Sequence, residues 1–171
     1  MINENNKIIS KKSLGTRNKH KGSHAERYYA NLFKKLGYSH CITARLGGRI
    51  FDNAGIDIIN IPFNIQIKAG IQSHLSPGKV LLNMDAQIRN LFPQNNPIVK
   101  YPLLLIHRLY PYSQDYNEDL VYMSEKQFNI FKDKHTELCF LSIKKRNIKM
   151  LTEYGSIVRL KVSELIEKGV F

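Results

Sequence analysis

The chain has 171 residues, 43% of them hydrophobic, which is enough for one domain with a core of its own. No apolar run approaches the ~18 residues of a membrane span, and the opening stretch "MINENNKIISKKSLGTRNKHKGSH" lacks the apolar core of a signal peptide, so a cytoplasmic protein with no membrane partner is expected. The formal net charge of +12 points to a polyanionic partner, most often nucleic acid.

An anionic membrane surface is the rival partner, but no long basic amphipathic helix supports it. Cys41 and Cys139 lack metal-ligand spacing and read as buried reduced thiols rather than a disulfide. Between Glu4 and Glu26 there is no carboxylate, while Lys7, Lys11, Lys12, Arg17, Lys19 and Lys21 all fall there. Residues 1–21 therefore read as a basic, flexible arm suited to non-specific phosphate contact.

Ser23 to Leu36 reads as a helix, with Ala25, Tyr28, Tyr29, Leu32, Phe33 and Leu36 on one face and Gly37 as its stop. Residues 38–46 read as a strand and "GGRIFDNAG" as a glycine loop. Ile56–Ile61 and Ile65–Ala69 are two short apolar strands joined by "PFN". "HLSPG" reads as a break, followed by a helix from Met84 to Phe92 that ends at Pro93. "YPLLLIH", 101–107, is a fully buried type of strand, and "PYSQDYNED" a polar loop. Leu120–Met123 is a strand, and Ser124-x-x-Gln127 opens a helix as a capping box. "ELCFLSI" and "SIVRLKV" are two more strands, with Ser163 capping a short last helix. The order gives a mixed α/β domain with a core over 22–132, on which 133–171 packs.

The hairpin holds the first chemical signal. With its turn centred between Pro62 and Phe63, Asp57 falls opposite Lys68, and Gln66 shares the face of Lys68. Ile65, Ile67 and Ala69 point the other way. A simple Asp57–Lys68 ion pair is one explanation, but charges inside a sheet are costly and such clusters mark sites.

The pattern Ile56-Asp57 followed by Gln66-Ile67-Lys68 resembles the PD-(D/E)xK nuclease core, in its QxK form. Upstream, "KGSHAER", Lys21 to Arg27, resembles the first-helix motif of archaeal-type Holliday junction resolvases in that superfamily, and "ARLGGRIFDNAGIDI" fits their strand and glycine loop. The resemblance covers roughly residues 21–107. It departs in having Ile56 where proline stands and Gln66 where a carboxylate stands.

The resemblance implies a restriction-endonuclease-like mixed sheet flanked by helices, and Mg²⁺ or Mn²⁺ held by Glu26, Asp57, Gln66 and the Ile67 carbonyl. Lys68 would orient water or stabilise transition-state charge. Glu26 has a second explanation in a capping box with Ser23. Lys21, Ser23, Arg27, Arg45, Gly48 and Arg49 are the candidate nucleic-acid contacts. Gly47 and Gly48 either admit DNA backbone or only make a turn. Asp52 is set aside as a loop acid. No histidine has zinc-ligand spacing, and no P-loop or nucleophile elbow is present.

The tyrosines of "RLYPYSQDYNEDLVY" either stack on unpaired bases or cover a core edge. Lys144, Lys145, Arg146 and Lys149 form a second phosphate patch or a solvated turn. The expectation is a metal-dependent DNA endonuclease, a junction resolvase or another structure-selective nuclease, acting as a two-fold dimer. The alternative is a non-catalytic nucleic-acid-binding or assembly protein with the nuclease fold; for RNA binding there is no RNP-like or KH-like signature. Richness in Ile, Asn and Lys suggests an AT-rich genome, and a small nuclease suits a phage.

Overall fold

The computed structural model describes residues 11–71, 74–134 and 156–171. Its elements are α1 (Lys11–Lys35), β1 (Ile42–Thr43), α2 (Ala44–Gly47), α3 (Arg49–Asn53), β2 (Ile58–Ile59), β3 (Asn64–Ala69), α4 (Pro77–Leu91), β4 (Leu103–Arg108), β5 (Leu120–Ser124), α5 (Glu125–Lys134), β6 (Ile157–Lys161) and α6 (Val162–Glu167).

Among the described residues the sheet has six strands in the order β1-β2-β3-β4-β5-β6. Only β3 and β4 run parallel; the other pairs are antiparallel. A parallel neighbour needs a crossover, and α4 supplies it. The strand β4 is buried along its whole length, as its apolar run predicts for a central strand covered on both faces. Leu104 and Ile106 face one core with Tyr29 and Phe33 of α1, Phe128 of α5 and Leu165 of α6. Leu103 and Leu105 face a second core with Leu81, Met84 and Ile88 of α4. The protein is therefore a helix–sheet–helix sandwich, an α/β fold with a mostly antiparallel open sheet.

Several local expectations are corrected. The first helix begins at Lys11, so residues 11–21 are helical and Ser23 lies mid-helix. Ser23 therefore caps nothing, and the capping-box explanation of Glu26 falls. The strand expected over 38–46 shrinks to Ile42–Thr43, because the chain turns helical at Ala44, whose amide donates to the Asp57 carbonyl (2.8 Å). The glycine loop contains α3. The helix expected from Met84 begins at Pro77: the proline sits in its first turn, where a missing N–H costs nothing. Ser163 lies inside α6; the cap is made by Glu164, whose carboxylate accepts the Lys161 amide at 2.9 Å. Gly37, at φ 104, ends α1 as expected. Ser124 caps α5, its hydroxyl accepting the Gln127 amide at 3.2 Å. Cys41 is a buried free thiol. Cys139, the "ELCFLSI" strand and the Lys144–Lys149 cluster lie outside the described residues.

Candidate active site at the end of the hairpin

The register of the β2–β3 hairpin differs from expectation. Ile58 pairs with Ile65, and the Asp57 amide donates to the Ile65 carbonyl at 2.7 Å. Asp57 is therefore not opposite Lys68 but stands where β2 leaves the ladder. Its carboxylate accepts the Ile67 N–H at 2.6 Å, in place of a strand carbonyl. In an extended strand the N–H and C=O of one residue face the same neighbour, so the Ile67 carbonyl also faces this side. Ile65 and Ile67 point into the α1 core as expected.

Glu26 reaches the same region from α1. It is 7% exposed and held bidentately by Arg45 of α2, through Nε at 2.8 Å and Nη2 at 2.9 Å. The sequence treated Arg45 as a free phosphate contact; the structure makes it the partner of Glu26. That hydrogen bond raises the affinity of Arg45 for its proton, and the charges of Glu26, Asp52 and Asp57 add to it.

Burial pushes the Asp57 carboxyl up from 3.8 to about 7. The Ile67 N–H and the Lys68 ammonium act against the shift, while the Glu26 and Asp52 charges act with it. Asp57 thus feels the opposing charges of Glu26 and Lys68.

The remaining residues divide between two clefts. One, of roughly 300 Å³, gathers Ser23, Glu26, Arg27 and Arg45. The other, of roughly 220 Å³, gathers Asp52, Gln66, Lys68 and, from α4, Asn83 and Gln87. The Gln66 amide nitrogen would lie 3.1 Å from a Cβ placed on Gly55, whose φ is +74, so this glycine leaves room for the amide. Asp52, set aside in the sequence, lines this second cleft and acts on both Asp57 and Arg45. Asn83 precedes the helix expected from Met84, and Gln87 lies within it as an ordinary polar helix residue, so neither carries a sequence signal.

Gly47 packs so closely that an added Cβ would lie 1.9 Å from Ile59 Cδ1, and Gly48 has φ 125, so both glycines have a structural reason. Arg27, Gly48 and Arg49 are exposed, and Lys21 is half-buried on α1. A larger cavity of about 480 Å³, lined by Phe51, Ile61, Phe63 and Tyr101 among others, has no charged side chain. Among the described residues no three His, Cys, Asp or Glu side chains form a ready-made metal group. Nor is any of their helices long and apolar enough to cross a membrane.

No family model, curated protein or solved structure matches the chain.

Proposed function

We propose that the protein is a divalent-metal-dependent DNA endonuclease of the PD-(D/E)xK type, structure-selective and closest to Holliday junction resolvases. The observation that carries this reading is the half-buried Asp57 carboxylate, held by the Ile67 N–H at 2.6 Å and within the fields of Glu26 and Lys68. The donor set fits a hard cation. It offers two carboxylates, the Gln66 amide and the Ile67 carbonyl, all oxygen donors. Asp57 and Glu26 would hold the ion, with Gln66 and Ile67 completing the shell. Mg²⁺ or Mn²⁺ held there supplies an activated water and charge for the phosphoryl oxygens.

The chain's own residues do the rest. Lys68, at the end of β3, stabilises charge developing on the phosphate. Arg45 holds Glu26 in a fixed rotamer. Arg27 and Arg49 contact flanking phosphates, with Lys21, Ser23 and the Gly48 backbone beside them. Cutting two strands symmetrically calls for a two-fold dimer working in the cytoplasm of a bacterium or a phage-infected host.

The second reading, a non-catalytic nucleic-acid-binding protein with this fold, is favoured by one observation. Arg45 engages both Glu26 oxygens, so that carboxylate already has a full partner within the chain. Incubation with a four-way junction and a linear duplex in Mg²⁺ or Mn²⁺ separates the two. Cleavage lost in Asp57→Ala and in Lys68→Ala supports the enzyme, and junction-only cleavage supports the resolvase. Binding without cutting, unchanged by either substitution, supports the second reading.

A further inference from the structure

The polar loop after β4 presents two tyrosines to solvent. Tyr110 and Tyr112 are each 59% exposed. Tyr28, Tyr29, Tyr116 and Tyr122 are buried or half-buried. Core covering, one of the two sequence explanations, therefore does not account for Tyr110 and Tyr112.

The loop is held rigidly. Arg108 is wholly buried beneath it and donates to Asp119 Oδ2 at 2.6 Å, to the Ser113 carbonyl and to the Pro111 carbonyl at 3.4 Å. Its guanidinium stacks on the Tyr28 ring at 3.6 Å. The Tyr28 hydroxyl donates to the Gln114 carbonyl at 3.0 Å, tying the loop to α1 two residues beyond Glu26. The Tyr112 ring meets His24 edge-on, with centroids 5.2 Å apart.

The loop also lies at the right end of the sheet. In the parallel β3–β4 pair Lys68 is level with His107, and the loop begins just past Arg108. The loop therefore leaves the sheet at the same end as Lys68, tied to α1 while Lys68 lines the cleft beside α4. Of the loop's three carboxylates, Asp119 is taken by Arg108, Glu118 pairs with Lys161 at 3.2 Å, and Asp115 closes the turn at Asn117. Lys19 and His20 are exposed on the adjoining stretch of α1.

We infer that Tyr110 and Tyr112 form a stacking platform for unpaired bases of the strand entering the Lys68 end of the site. Ordering the loop beforehand removes the entropy that a mobile loop would lose on binding. Every base offers a π-face, so the platform selects unpaired over paired nucleotides without reading sequence. The proposal rests on the nucleic-acid reading above and names the substrate class of that site.

The test is binding of fluorescein-labelled oligo(dT) and of a blunt duplex, followed by anisotropy in EDTA. Wild type is compared with Tyr110→Ala/Tyr112→Ala and Tyr110→Phe/Tyr112→Phe. The alanine pair should bind oligo(dT) about tenfold or more weakly, with duplex affinity unchanged, while the phenylalanine pair keeps wild-type affinity. Equal affinity of the alanine pair and wild type for oligo(dT), with tight duplex binding, overturns the platform and leaves the nucleic-acid reading standing. A phenylalanine pair as weak as the alanine pair overturns stacking in favour of the hydroxyls. Failure of wild type to bind either strand at low salt overturns both readings together.

Discussion

Glu26 and Arg45 stand 19 residues apart in the chain, yet their side chains meet through two parallel hydrogen bonds of 2.8 and 2.9 Å. The carboxylate is almost wholly buried and the guanidinium 44% exposed. The pair neutralises one of the two carboxylates of the candidate site and leaves Asp57 to carry its own burial.

Removing Arg45 should act in two directions. Arg45→Ala leaves Glu26 buried without its partner and should cost about 1–3 kcal/mol of stability, discounted for the exposure of Arg45. It also adds net negative charge beside Asp57, so affinity for Mn²⁺ should rise. Thermal denaturation and a metal titration of the same variant check both halves.

The Asp57 carboxyl sets a pH dependence. Its value rises from 3.8 to about 7 on folding, so the folded state binds the proton more tightly. The stability this group contributes is fully present below pH 3.8 and lost as the pH rises through about 7. Asp57→Asn should remove that decline. At pH 8 the variant should be the more stable protein by about 2–4 kcal/mol, and at pH 4 the gap should close. Urea denaturation of both proteins across pH 4–8 measures the difference. Cleavage should rise over the same range, because the proton and the cation compete for one carboxylate.

The buried Arg108–Asp119 pair is a separate structural requirement. Its side chains are 0% and 2% exposed, and the Tyr29 hydroxyl donates to the same Asp119 oxygen at 2.6 Å. Arg108→Met strands a buried carboxylate and should cost about 3–5 kcal/mol. Tyr29→Phe removes one hydrogen bond and should cost about 1–2 kcal/mol. The urea midpoints rank the two.

Much of this architecture is legible where local chemistry decides it. The run Leu103–Ile106 reads as a central strand because both its faces are apolar, and Gly37 and Pro93 end their helices for steric reasons. Legibility fails where the decision is tertiary. Pro77 reads as a breaker, but the first turn of a helix tolerates it. The chain turns helical at Ala44, directly after that residue's amide makes a last cross-strand bond to the Asp57 carbonyl. The hairpin register depends on how β2 departs from the ladder, which no alternation of side chains encodes. At the site, Glu26, Asp57 and Lys68 were all named from the sequence. The Arg45 partnership was not, because it joins α1 to a short helix whose placement no local pattern predicts. Asp52 was passed over because an exposed loop acid looks the same whether or not it lines a cleft.

The central claim is that the end of the hairpin holds a divalent cation through Asp57. Mn²⁺ binding at equilibrium, followed by electron paramagnetic resonance at pH 6 and pH 8, tests it most directly. The account predicts a bound ion at pH 8, weaker binding at pH 6, and loss of the bound ion in Asp57→Ala but not in Tyr110→Ala. A wild-type protein that binds no Mn²⁺ at pH 8, or an Asp57→Ala variant that binds it as tightly as wild type, would contradict the account.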